Sequence, residues 1–203
     1  MEPTFPVFIL SCERSGSTLL HYILDTHPDI CCPGDLSLGA LIKDLRVTVS
    51  RTFGTTAADD PVKRDALERK EVRRILTGLL SRYARIQGKK IWCDKTPYNL
   101  KYLTHIEWAF PEARYVCLHR DSLDVVQSCM ELPEKDFIWW ALPYVIKHRR
   151  NYPAAFLESW VEKTLEILAF ETRNPLTYRI KYESMVGDPV KALDPLFRFL
   201  ELE

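Results

Sequence analysis

The 203-residue chain has no excess charge of either sign, with 28 Lys and Arg against 28 Asp and Glu. A bulk nucleic-acid or anionic-membrane binder needs a global basic surplus, so both classes are disfavoured, while a local basic pocket stays open. No apolar run approaches the roughly 18 residues of a membrane-spanning helix. Residues 1–10 lack a basic segment followed by a long apolar stretch, so no secretory signal is read. There is no C-x-x-C pair among Cys12, Cys31, Cys32, Cys93, Cys117 and Cys129. Adjacent Cys31 and Cys32 cannot easily bridge each other, and Cys93 and Cys117 lie in apolar, strand-like runs. This predicts reduced, buried thiols in a cytoplasmic protein rather than a disulfide framework. No His/Cys cluster has zinc-ligand spacing, so no metal is expected. The histidines at 21, 27, 105, 119 and 148 are scattered and read as structural. Internal repeats and low-complexity segments are also lacking.

What is present is an alternation of short apolar runs and helical patterns. Phe5-Pro-Val-Phe-Ile-Leu10 reads as a strand, Ser11 to Thr18 as a polar loop, and Leu19, Leu20, Ile23 and Leu24 as one face of a helix ending near His27-Pro28. Residues 31–60 are harder to place, with a helix possible from Leu38 to Val49 and a loop from Thr52 to Pro61. Val62 to Gln87 is helical by pattern and stops at Gly88. Strands are predicted at Lys90–Cys93, Arg114–Leu118 and Thr177–Tyr182. Helices are predicted near 100–109, after Leu123, across Leu157–Leu168, and from Val190 to Leu200. Residues 133–153, with their prolines and the Trp139-Trp140 pair, read as a lid-like segment. The order predicts an α/β domain, a parallel sheet with helices on both faces. Ligands in such sheets bind at the carboxyl ends of strands, so loops 11–18, 94–97 and 119–122 are the first suspects.

Arg14-Ser-Gly-Ser-Thr18, between a strand and a helix, has the chemistry of a phosphate cradle. A helix N-terminus offers unpaired N–H groups, Gly16 permits close backbone approach, Ser15, Ser17 and Thr18 add hydroxyls, and Arg14 adds charge. The plainer alternative is a Ser/Thr-capped helix with an exposed arginine. The loop is not a Walker A motif, since no lysine follows Gly16. His119-Arg-Asp121 is not a kinase catalytic loop, because position 126 is valine where that motif needs asparagine. No G-x-G-x-x-G or D-F-G occurs, so an ATP-dependent kinase is poorly supported.

Four segments together resemble PAPS-dependent sulfotransferases, in particular the bacterial and tyrosylprotein branch. Arg14-Ser-Gly-Ser-Thr-Leu-Leu20 resembles the 5′-phosphosulfate loop. Arg120-Asp-Ser-Leu-Asp-Val-Val-Gln-Ser128 resembles the 3′-phosphate motif. Asp94-Lys-Thr-Pro97 with Phe110-Pro-Glu-Ala-Arg-Tyr115 resembles the stretches between. Tyr182-Glu-Ser-Met-Val186 followed by Asp188-Pro189 resembles the late motif. The segments stand in family order and span nearly the whole chain, here taken as one domain with helical or lid segments at about 36–88 and 131–156. The resemblance implies a P-loop-like fold and transfer of a sulfuryl group from PAPS to a hydroxyl or amine, releasing adenosine 3′,5′-bisphosphate (PAP), without a metal.

Carried over residue by residue, the resemblance implies that Arg14, Ser15, Gly16, Ser17 and Thr18 hold the 5′-phosphate and sulfuryl oxygens. Arg120 and Ser128 hold the 3′-phosphate, and Tyr182 contacts the adenine. For Arg120 the alternative is a surface ion pair with Asp121 or Asp124; for Tyr182 it is a core tyrosine. Lys95 matches the lysine at the bridging or sulfuryl oxygen, against a solvated lysine beside Asp94. His27-Pro-Asp-Ile-Cys-Cys-Pro-Gly-Asp35 places Asp35 on the family's basic glutamate. It departs in length and in Pro33-Gly34, and Pro-Gly-Asp is also an ordinary turn. Rival bases are His21, Asp94 and His105. The chain ends soon after the last matched helix, so the family's usual C-terminal stretch is expected to be lacking. A non-catalytic PAPS-binding module is therefore a second hypothesis, and a P-loop small-molecule kinase a third. Phe137, Trp139, Trp140, Tyr144 and Tyr152 either line an apolar acceptor site or are simply core. Small-molecule, carbohydrate, lipid and peptide acceptors all remain open.

Overall fold

The computed structural model describes residues 5–53 and 60–202. Five strands form one parallel sheet in the order β2-β3-β1-β4-β5, flanked by helices. Strand β1 (Val7–Ser11) is buried at every position, as its continuous apolar sequence requires of a central parallel strand. It is followed by the 12–16 loop and helix α1 (Ser17–Thr26), which stops before Pro28 because proline disfavours the helical conformation of the residue ahead of it. Strand β2 (Ile30–Cys31) and helix α2 (Leu38–Phe53) come next. Of the loop expected from Thr52 to Pro61, residues 54–59 lie outside the described residues. Thr52 and Phe53 belong to α2, and Pro61 opens helix α3 (Pro61–Ile86). Asp60 caps α3 by accepting from the Val62 and Lys63 amides, a contact worth about 1 kcal/mol, and proline suits the first helical position.

The second half contains β3 (Ile91–Asp94), a 3-10 turn (Pro97–Tyr102), α4 (Leu103–Ala109), β4 (Arg114–His119), α5 (Ser122–Met130), α6 (Glu134–Lys147), α7 (Tyr152–Arg173), β5 (Thr177–Lys181), α8 (Tyr182–Gly187) and α9 (Pro189–Phe199). The described residues group into two compact units, one of residues 5–8 and 21–114 and one of 9–20 and 115–202. In the first, β3 pairs with β2 (Cys31 opposite Trp92) and with the start of β1 (Phe8 opposite Asp94). Phe8, Trp92 and Phe110 pack edge to face in its core. In the second, β4 pairs with β5 from Tyr115–Thr177 to His119–Lys181. Its core joins Cys12, Val125, Cys129, Phe137, Ala141, Val145, Ala155 and Phe156.

Three elements differ from the sequence reading. β2 spans only two residues, too few for any periodicity to register. The stretch expected to be lid-like folds as α6, although Pro143 lies inside it. An internal proline costs about 3 kcal/mol. Burying Phe137, Ala141 and Val145, which recur at one-turn spacing, returns about 1.5–3 kcal/mol for each large side chain and outweighs it. Tyr182 opens α8 instead of ending β5. All six cysteines are buried and unbridged, and burial pushes the Cys31 and Cys129 thiols up to about 11, as expected of inert core thiols.

Candidate functional site

In the second unit, the loop after β1 and the start of α5 meet through side chains. Arg14 Nε donates to Ser128 Oγ at 3.0 Å. Arg120, just past β4, donates from Nη1 to the Arg14 carbonyl at 2.9 Å. The Arg120 guanidinium also lies 4.2 Å from the centroid of the Tyr182 ring. Arg14, Arg120, Ser128 and Tyr182 thus form one cluster, though they are far apart in the chain. Arg120 does not ion-pair with Asp121, whose carboxylate instead caps α5 at the Leu123 and Asp124 amides.

Two buried atoms, one on the residue after Arg14 and one in this cluster, have unused hydrogen-bonding capacity. Ser15 is 1% exposed, and its Oγ has no partner. Arg120 Nε is likewise out of solvent and unpaired. Each buried orphan costs about 1–3 kcal/mol. An anion accepting from either donor would remove that donor's cost, a need that a phosphate or sulfuryl oxygen fits. Ser17 opens α1 and is mostly buried, whereas Thr18 is exposed. A cavity of about 400 Å³ beside the cluster is lined by His119, Arg120, Asp121, Lys181 and Glu183.

Gly16 has a reason for being glycine that sequence reasoning did not find. Its φ is +93°, and a Cβ there would lie 2.3 Å from Tyr182 Cδ2. The space beside its Cα is filled by the Tyr182 ring, not left open for an anion. Arg14 also has positive φ (+64°), a conformation uncommon outside glycine, asparagine and aspartate.

In the first unit, Lys95 Nζ lies 3.1 Å from Asp35 Oδ1. The lysine side chain is 14% exposed and the aspartate 53%, so the carboxylate is open to an incoming group while the ammonium is held inside. Asp94 is fully buried. Its two oxygens accept from the Leu36, Leu38 and Thr96 amides, the Thr96 hydroxyl and the Asn99 amide. With its lone pairs taken by five donors, this rival base is an anchor that fixes the segment 36–38 just after Asp35. His21 Nε2 lies 2.6 Å from the Cys32 carbonyl and is occupied as its donor. His105, on α4, has its pKa pushed down by burial and then by the charges of Arg46 and Lys43.

The aromatic residues offered as an acceptor lining divide. Phe137 is core, edge to face with Tyr152 and Phe156. Trp140 and Tyr144 pack against that core, and Trp139 is 64% exposed. Among the described residues no group of three His, Cys, Asp or Glu side chains is arranged to hold a metal, and no helix is long and apolar enough to cross a membrane.

Residues 6–203 match the model of the Sulfotransferase family. The chain is 30% identical over 203 residues to the nodulation protein NoeE of Sinorhizobium fredii, covering 90% of this chain and 46% of that protein. It is 28% identical over 123 residues to human protein-tyrosine sulfotransferase 1, covering 60% of this chain and 33% of that protein. The chain therefore spans less than half the length of these two curated relatives. Among solved structures, the sulfotransferase domain from the curacin biosynthetic pathway aligns over 100% of this chain and 76% of its own, with a TM-score of 0.70 at 22% identity. Mouse sulfotransferase SULT7A1 complexed with PAP aligns over 98% of this chain and 60% of its own, with a TM-score of 0.55 at 17% identity. At those identities the structural likeness is one of fold. The match across residues 6–203 decides the family: the chain belongs to the sulfotransferases.

Proposed function

We propose that the chain transfers a sulfuryl group from PAPS to a hydroxyl or amine acceptor, releasing adenosine 3′,5′-bisphosphate. The observation that carries this reading is the cluster of Arg14, Arg120, Ser128 and Tyr182, with buried, unpaired donors at Arg120 Nε within it and at Ser15 Oγ on the residue after Arg14. Family membership supports PAPS as the donor, and the cluster offers groups that suit it. The guanidiniums and hydroxyls bind phosphate oxygens, and Tyr182 offers a ring to the adenine.

In the transfer, the acceptor oxygen or nitrogen bonds to sulfur while the bond from sulfur to the bridging phosphate oxygen breaks. The electron pair of that bond leaves with the bisphosphate. Asp35 accepts the acceptor's proton. A carboxylate serves as a general base when it lies within hydrogen-bond reach of the proton. Lys95 stabilises the charge that develops on the leaving oxygen, an interaction stronger in the transition state than in the ground state. Asp94 holds the backbone around both residues in place.

Turnover of PAPS on a panel of phenolic, carbohydrate and peptide hydroxyls tests the assignment. Asp35→Asn is expected to lower kcat by about 10²–10⁴, the usual range for a general base. Lys95→Ala is expected to lower it by about 10²–10³. Wild-type turnover in both variants would contradict the mechanism. Binding of the bisphosphate without transfer to any acceptor would favour a non-catalytic nucleotide-binding module.

A further inference from the structure

The loop that carries Arg14 is held from beneath by helix α7. Glu13 and Lys163 form an ion pair 150 residues apart in sequence, with side chains only 11% and 13% exposed. Lys163 Nζ also lies 4.9 Å from the centroid of the Trp140 ring on α6, within cation–π range. Three residues earlier on α7, Trp160 Nε1 donates to the Arg120 carbonyl at 3.1 Å. Residues three apart on a helix share a face. One face of α7 therefore grips both Glu13, next to Arg14, and Arg120, whose Nη1 holds the Arg14 carbonyl. The contacts close a ring: Lys163 to Glu13, along the chain to Arg14, across to Arg120, and back through Trp160 to α7. Arg14, at φ +64°, is the strained member of this ring.

We propose that Lys163 is a positioning residue for the sulfuryl donor, with Trp160 as its companion. It touches neither phosphate nor acceptor. By pairing with Glu13 it keeps Arg14 in its left-handed conformation and fixes the direction of the Arg14 and Arg120 guanidiniums before the nucleotide arrives. Donors fixed in advance bind an anion more tightly than donors that must be ordered on binding. The proposal rests on reading this cluster as the donor site.

The test is calorimetric titration with adenosine 3′,5′-bisphosphate, well below each variant's Tm. Lys163→Met and Glu13→Gln are each expected to weaken binding about tenfold, as misplaced binding groups do. The double variant is expected to be no worse than either single, because one pair is broken in all three. Lys163→Arg is expected to recover most of the affinity. Leu76→Ala, a buried apolar truncation on α3, lowers Tm but should leave the affinity as in wild type. If Lys163→Met fails to fold, Glu13→Gln carries the test. Wild-type affinity in the Glu13 and Lys163 variants, or an equal loss in Leu76→Ala, would overturn the proposal. A wild-type chain that bound no bisphosphate would overturn the donor reading itself and this proposal with it.

Discussion

Arg14 and Ser128 are joined by a 3.0 Å hydrogen bond across 114 residues of sequence. The loop after β1 is thereby tied to the middle of α5. Both residues are also assigned to donor phosphates by the family resemblance. Ser128 Oγ accepts from Arg14 Nε, which leaves the Ser128 O–H and the terminal N–H groups of Arg14 able to donate to an anion.

Arg120→Lys should not act as a conservative change. Lysine keeps the charge but loses the fork that reaches the Arg14 carbonyl and the flat cation over Tyr182. We expect bisphosphate affinity to fall by about tenfold or more, equivalent to roughly 1.4 kcal/mol. Ser128→Ala should cost less, because it removes one neutral hydroxyl. A titration of both variants checks the order, and equal losses would contradict it.

Gly16→Ala combines two penalties. The positive φ costs about 1–3 kcal/mol for a residue with a side chain. The new methyl would also collide with the Tyr182 ring, which must move away from Arg120. Adding Tyr182→Ala should relieve the collision and leave the backbone penalty. Chemical denaturation of the two singles and the double measures this. Strict additivity would contradict the packing of Tyr182 on Gly16.

Asp94→Ala should be the most damaging change in the first unit. It leaves three backbone amides, a hydroxyl and a side-chain amide without their acceptor. Each buried donor left unpaired costs about 1–3 kcal/mol, so the total is comparable with a typical margin of stability unless water enters. Expression level and Tm report this directly. Asp35→Ala should lower Tm less, because it removes one ion pair, from the mostly buried Lys95 ammonium, and no backbone anchor.

Glu171 provides a pH signature in the second unit. Burial alone would raise its pKa. The hydrogen bonds from Arg179 and His119 more than reverse this and leave it below its ordinary 4.5. A carboxylate with a depressed folded pKa contributes its full stability above the unfolded value. That contribution is lost as pH falls through the folded one. Wild-type Tm should accordingly drop on acidification below about pH 4.5, more steeply than that of Glu171→Gln. Parallel curves would show that Glu171 is not the titrating group.

The sequence made β1, β3, β4, β5 and the loop after β1 legible because apolar runs bounded by small polar residues leave a local trace, which the two residues of β2 do not. Arg120 and Ser128 were readable as a pair because both lie in one motif around α5. The role of Gly16 was not readable, since the ring that fills its flank belongs to a residue 166 positions later. Asp94 looked like a candidate base because a carboxylate at a strand end is ambiguous until its donors are seen. Lys163 carries no local signal at all: on α7 it reads as one more cation of an amphipathic helix until Glu13 is found beside it. Helix α6 was obscured by its proline, whose local penalty is outweighed by packing that no window of sequence records.

The central claim is that this cluster holds a 3′-phosphorylated adenine nucleotide. Calorimetric titration of the purified chain with adenosine 3′,5′-bisphosphate, with ATP plus Mg²⁺ as the comparison, tests it most directly. The account predicts saturable binding of the bisphosphate, lost in Arg120→Ala, with no comparable binding of ATP. Binding of ATP alone, or bisphosphate binding unchanged in Arg120→Ala, would contradict it.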